Sequence, residues 1–206
     1  MSQLDLNQID NMQYDVLREL GNIGAGNATT ALSQMLNSRI DMKVPKVELL
    51  EFKELSDLVG GAEKLVVGIL FTISGQIDGM MMFMLDVSAS RHLVNILMGN
   101  PHVDSEDDFS EMELSALNEI GNIISGAYLS SLSTLTNLTM VSSIPYMAID
   151  MAGAILSVPA IEFGKMGDRA LLIETEFGDD LREVSGYFIL IPTINSYGAI
   201  LSSLGL

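Results

Sequence analysis

The sequence predicts an α+β fold with internal duplication and pseudo-twofold symmetry, in which an antiparallel sheet built from both halves carries two long helices. Three observations predict it. A sparse pattern recurs one hundred residues apart, first as Asp15, Glu19, Asn22 and Pro45, then as Ser115, Glu119, Asn122 and Pro145. Such self-similarity marks a duplicated structural unit. Each copy opens with a long stretch of helical periodicity. The strand candidates come in adjacent pairs rather than alternating with long helices, which favours antiparallel pairing. A single domain spanning 1–206 is therefore expected, made of two repeats at about 8–99 and 108–206.

Residues 11–36 read as a helix, with Val16, Leu17, Leu20, Gly24, Ala28, Ala31 and Met35 on one broad face. Asp15, Glu19, Asn22, Gly26 and Ser33 fall on the opposite face. A Pro-marked extended segment follows. Residues 64–74 and 77–86 are strand candidates rich in β-branched and large apolar side chains, and Gly75-Gln76 between them reads as a hairpin turn. Residues 88–98 form a short helix candidate ended by Gly99. The acidic stretch 100–108, with Asn100-Pro101, reads as the linker between copies.

In the second copy, Ser110 and Glu113 form a capping box that starts a helix at about Glu111. Leu117, Ile120, Ile124 and Ser131 follow its inner face, and Ser115, Glu119, Asn122, Gly126 and Ser133 its outer face. Another Pro-marked segment leads to a second helical stretch, expected at 146–157. Residues 169–177 and 184–192 form the equivalent strand pair around the acidic loop Gly178-Asp179-Asp180, and 194–204 the closing helix.

Composition narrows the function classes. A net charge of −17 with ten Lys and Arg argues against nucleic acid or an anionic membrane as the main partner. The absence of Cys removes disulfides and thiolate metal sites. No basic-then-apolar leader follows Met1, so a cytoplasmic location is expected. Residues 120–149 carry no charge and are long enough to span a bilayer. Ten Ser, Thr and Asn residues from Ser125 to Ser143 interrupt the run, and Pro145 closes it, so membrane insertion is not expected.

Glu19 and Asn22 are three apart, as are Glu119 and Asn122, so each pair projects from one helix face. A solvated helix face explains a single pair; the duplicated spacing favours a functional site. Asn is a poor choice for a plain exposed helix interior. A helix-interior Gly costs up to about 1 kcal/mol relative to Ala, so Gly26 and Gly126 on the same stripe keep a bare surface beside each Asn. Gly21, Gly24 and Gly121 fit an ordinary packing role instead. An amide can donate and accept at once, and a fixed Asn can therefore hold a water in line with a phosphorus. With no nucleophile or metal cluster in view, such a site needs a docking partner to complete it.

The spacing Asp or Ser, three residues, Glu, two residues, Asn, twenty-two residues, Pro resembles the motif of the CheC-type chemotaxis phosphatases, the family of CheC, CheX and FliY. Both copies match it, and Leu17-Arg18-Glu19-Leu20-Gly21-Asn22-Ile23-Gly24-Ala25-Gly26 and Leu117-Asn118-Glu119-Ile120-Gly121-Asn122-Ile123 resemble CheC sequences in particular. The resemblance implies hydrolysis of the aspartyl phosphate on a CheY-type response regulator. It gives Asn22 and Asn122 the attacking water, and Glu19 and Glu119 a lysine of the regulator. Asp15, Pro45, Ser115 and Pro145 complete the motif. It implies no cofactor in this chain, the Mg²⁺ belonging to the regulator. It also implies a CheD-type receptor deamidase as a second partner, with Asp150, an isolated charge between Glu119 and Glu162, as the residue to test.

Two competing readings are weaker. Flagellar switch proteins resemble this fold without the catalytic residues, so a non-catalytic interaction module is the alternative. Both Glu/Asn pairs argue against it, as does the expectation that a chain ending at Leu206 carries no switch-ring domain. A nucleotide loop at Gly21–Gly26 should follow a strand and open a helix, whereas this run lies within helical periodicity and has no adjacent Lys.

Overall fold

The computed structural model describes residues 11–37, 41–99, 108–163, 169–178 and 183–206. Helix α1 runs Asn11–Leu36 and strand β1 Asp41–Glu51, followed by helix α2, Phe52–Leu58, strands β2, Leu65–Gly75, and β3, Gly79–Asp86, and helix α3, Val87–Leu97. The second half has helix α4, Glu111–Thr136, short strand β4, Met140–Ser142, and β5, Tyr146–Met151. Helix α5, Ala152–Phe163, strands β6, Arg169–Gly178, and β7, Glu183–Pro192, and helix α6, Ile194–Ser203, complete it. Most of the proposed 100–108 linker, and Asp179 and Asp180 of the acidic loop, lie outside the described residues.

All the strand pairings are antiparallel and make one seven-stranded sheet in the order β1-β6-β7-β3-β2-β4, with β5 also on β2. The two hairpins meet at β3 and β7. The strands that precede each hairpin pair with the other half's: β1 lies on β6, and β4 and β5 on β2. Sequence periodicity finds hairpins but not this exchange.

Helices cover both faces of the sheet. On one, Leu17, Leu20 and Leu32 of α1 and Leu117, Ile120 and Tyr128 of α4 pack over Ile69, Phe71, Phe83, Ile173 and Phe188. On the other, Leu55 of α2, Val59 just beyond its end, and Ile155 and Leu156 of α5 pack over Val66, Met82, Met84, Leu172 and Ile189. Strands buried on both sides read as nearly continuous apolar runs, as Gly79–Asp86 does.

Helix α2 has no counterpart among the sequence expectations. It spans seven residues and starts on Glu51, whose carboxylate belongs to a capping box with Glu54. The stretch expected to be helical from 146 onward is corrected: Tyr146–Met151 is strand β5, and the helix begins at Ala152. Backbone pairing with β2 from Leu65↔Met151 to Leu70↔Tyr146 overrides the helical tendency of Met and Ala there.

The two long helices end alike. Asn37 and Asn137 both adopt positive φ, 45° and 54°. Asn tolerates the left-handed region better than other non-Gly residues, so it stops a helix much as Gly does. At the start of α4, Ser110 Oγ accepts from the Glu113 amide at 3.4 Å, and Glu113 accepts from the Ser110 amide at 2.7 Å, the capping box read from sequence. These bonds from the Ser110 amide and hydroxyl, with Arg91 nearby, hold the Glu113 carboxyl below its ordinary range. Arg91, in α3, pairs with Glu113 at 3.4 Å and lies 4.2 Å from the centre of the Phe109 ring.

Candidate functional site

Burying one face of α1 and α4 against the sheet turns the other face outward. Asp15, Glu19, Asn22 and Gly26 are all exposed on α1, and Ser115, Glu119, Asn122 and Gly126 on α4. Ser33 and Ser133 are half-buried instead, and Ser133 donates to the Leu138 carbonyl at 2.8 Å.

The glycines of the two helices divide by environment. A Cβ on Gly24 would overlap the Tyr128 ring, and one on Gly121 would come within 2.8 Å of Ile69 Cδ1. These two permit close packing. A Cβ on Gly26 or Gly126 would meet nothing within 4 Å. Packing therefore gives no reason for Gly at either outward position, and each leaves a flat patch of backbone one turn beyond its Asn.

The two helices also hold each other. Tyr128 fills the space over Gly24 and stacks on Phe188 with ring centres 3.8 Å apart. Asn27 Nδ2 donates to Ser131 Oγ at 2.7 Å across the helix pair. Each Glu/Asn pair thus stands on a helix fixed by the core, the support that a precisely aimed polar group requires.

The other motif residues occupy different places. Asp15 pairs with Arg18 at 3.0 Å on the exposed stripe, whereas Ser115 Oγ turns back to the Glu111 carbonyl at 2.9 Å. Pro145 lies between β4 and β5, where Ser143 keeps contact with β2 through its amide to the Thr72 carbonyl at 2.9 Å. Pro45 falls where the β1–β6 register shifts, between Lys43 and Lys46. A residue without an N–H fits such interruptions of a ladder. Both prolines therefore belong to the sheet and not to the helical stripe.

Asp150 is exposed on β5 with Val66 opposite, and its Oδ1 accepts from the Met151 amide at 2.7 Å. It does not join either Glu/Asn stripe. Large apolar side chains surround it in sequence: Ile144 is 88 % exposed, Tyr146 70 %, and Ile149 and Met151 are exposed as well. The motif also omits Arg18, which shares the first stripe. Its sequence signal is an acid and a base three apart on a helix face.

No group of three His, Cys, Asp or Glu residues placed to hold a metal ion occurs among the described residues. No helix among them is long and apolar enough to cross a membrane.

Comparison with known proteins places these features in a family. The model of the CheC-like family matches residues 12–49, which carry the whole first copy of the motif, and 112–142, which carry Ser115, Glu119 and Asn122 of the second. The CheY-P phosphatase CheC of Bacillus subtilis is 38% identical over 202 residues, covering 97% of this chain and 97% of that protein. Thermotoga maritima FliY has the same fold, with a TM-score of 0.76 at 23% identity over 95% of this chain and 97% of that one. A chain of the FliG–FliM complex from H. pylori also shares it, with a TM-score of 0.72 at 14% identity over 94% of this chain and all of that one. Identity with CheC over nearly the whole length of both proteins is decisive: the chain belongs to the CheC-like family.

Proposed function

We propose that this protein is a phosphatase that hydrolyses the aspartyl phosphate of a CheY-type response regulator, working from two equivalent sites on α1 and α4 of a duplicated domain. The observation that carries the reading is the pair of exposed Glu/Asn stripes, each beside a glycine that no packing contact requires. The name of the B. subtilis relative supports the substrate class. The fold does not discriminate, because a chain of the FliG–FliM complex shares it. The paired Glu and Asn residues separate the enzyme from the interaction module.

In this reading Asn22 and Asn122 orient the attacking water, one end of the amide holding it while the other contacts the phosphoryl group. Phosphoryl transfer needs little covalent chemistry from the protein, so positioning and electrostatics suffice. The Mg²⁺ that neutralises the phosphoryl oxygens belongs to the regulator. Glu19 and Glu119 pair with a cation on the regulator and set the docked pose. The decisive assay is phosphate release from a phosphorylated CheY-type regulator with and without this chain. Unchanged release would reject the enzyme.

Glu19→Lys combined with Glu119→Lys is expected to weaken regulator binding at least tenfold, because two cations then face each other at the contact. Titration of the regulator measures it. An unmoved dissociation constant would mean that these carboxylates do not make the contact.

The reading also includes a CheD-type deamidase bound around Asp150. Support comes from the exposed apolar side chains of β5 and from its place at the end of the sheet, where an edge strand offers backbone pairing. Asp150→Lys is expected to reduce deamidase binding while leaving phosphate release unchanged. Retained binding by the folded variant would exclude the residue from that interface.

A further inference from the structure

Helices α1 and α4 contain one basic residue between them, Arg18. In a chain of net charge −17, one cation beside a proposed phosphoryl site changes the local field substantially. Arg18 stands four residues before Asn22, the spacing that puts two side chains on neighbouring turns of one helix face. Its guanidinium is held by Asp15 at 3.0 Å, with both side chains more than half exposed. An exposed pair of this kind is weak and easily exchanged. Asp15 accepts at one end of a guanidinium that carries five N–H donors, so the remaining donors stay available on the solvent side.

The second site is built differently at the same position. Asn118 replaces Arg18, and Asn118 is half-buried with its Oδ1 enclosed and lacking a hydrogen-bond partner. Ser115 replaces Asp15 and bonds to its own helix. Both halves of the acid–base pair are therefore absent from α4, although the Glu and Asn are retained.

We propose that Arg18 is a substrate-contacting residue of the first site, binding the phosphoryl oxygens of the docked regulator, and that this cation makes the two sites unequal. The inference rests on the function proposed above. Guanidinium matches phosphate geometry, and its hydrogen bonds to an anion are among the stronger ones. Asp15 lies one turn before Arg18 and holds the guanidinium on the side away from Asn22, so this weak exposed pair opens when the phosphoryl group docks. The first site gains affinity for the phosphorylated partner over the unphosphorylated one, whereas the second relies on its Glu and Asn alone.

The test isolates one site at a time. In a chain carrying Asn122→Ala, Arg18→Asn is expected to raise KM for the phosphorylated regulator about tenfold, the loss of a charged hydrogen bond, with kcat changed less than twofold. Arg18→Lys, which keeps the charge, is expected to recover part of the loss. The Asn122→Ala chain is also expected to show a steeper fall of kcat/KM with salt than the Asn22→Ala chain. Unchanged KM in Arg18→Asn, or equal salt dependence of the two sites, overturns the proposal.

A second readout separates this inference from the phosphatase reading. The regulator loaded with beryllofluoride, a stable phosphoryl mimic, is titrated against the Asn122→Ala chain with and without Arg18→Asn. Preference for the loaded over the free regulator is expected to fall about tenfold on Arg18→Asn. A preference that survives overturns the contact even where hydrolysis is seen; a preference that is lost supports it even where hydrolysis is not.

Discussion

A chain carrying both Asn22→Ala and Asn122→Ala is expected to lose its acceleration of regulator dephosphorylation by on the order of 10²-fold or more, about 3 kcal/mol, while each single variant keeps one working site. Both residues are exposed on well-packed helices, and Ala is the better helix former. Thermal stability should stay equal or rise slightly. That combination separates chemistry from folding: a structural role would lower both quantities together. Phosphate release and a melting curve on the same preparations measure it. A folded double variant as fast as the parent would exclude the amides from the mechanism.

Tyr128→Ala is expected to be among the most damaging single changes to stability, at about 3–5 kcal/mol, the usual cost of truncating a large buried aromatic. Its ring is 1 % exposed, stacks on Phe188 and occupies the space that Gly24 leaves open. Tyr128→Phe is expected to behave oppositely. The phenol oxygen is buried without a hydrogen-bond partner, and burial pushes the phenol pKa upward. Removing an unsatisfied polar atom while keeping the ring leaves stability unchanged or improved. Urea unfolding of the two variants compares them, and a Phe variant as unstable as the Ala variant would point to a hydrogen bond made by that hydroxyl.

The helical part of the fold was legible because its signals are local. The apolar spacing of α1 and the Ser110/Glu113 box of α4 sit within a few residues of the boundaries they set. The strand pairs of the two hairpins were equally readable, since a turn separates each pair. What escaped was either short or non-local. Helix α2 has two turns and an uncommon Glu cap, so its seven residues carry little periodicity. Residues 146–151 contain Met and Ala, which suit a helix, and only the distant strand β2 makes them extended. The candidate site was legible for a related reason. Positions three and four apart define a helical stripe without knowledge of what packs behind it, and Asp15, Glu19 and Asn22 emerge where that spacing puts them. Arg18 was overlooked because it lies outside the recurring pattern; its interest comes from the difference between the copies, which a search for sameness passes over.

The exchange of outer strands between halves has a consequence for how the polypeptide reaches this state. Strand β1 finds its partner more than one hundred positions later, at Arg169–Gly178. During synthesis, the hairpin of β2 and β3 can close early, but β1 has nowhere to dock until β6 has left the ribosome. Non-local closure of this kind carries an entropic cost before any contact offsets it, which slows folding. The amino-terminal half therefore emerges with β1 unplaced and waits for the last forty or so residues. Gene fragments cut at the midpoint are therefore expected to assemble as complementary pieces, each supplying the other's outer strand.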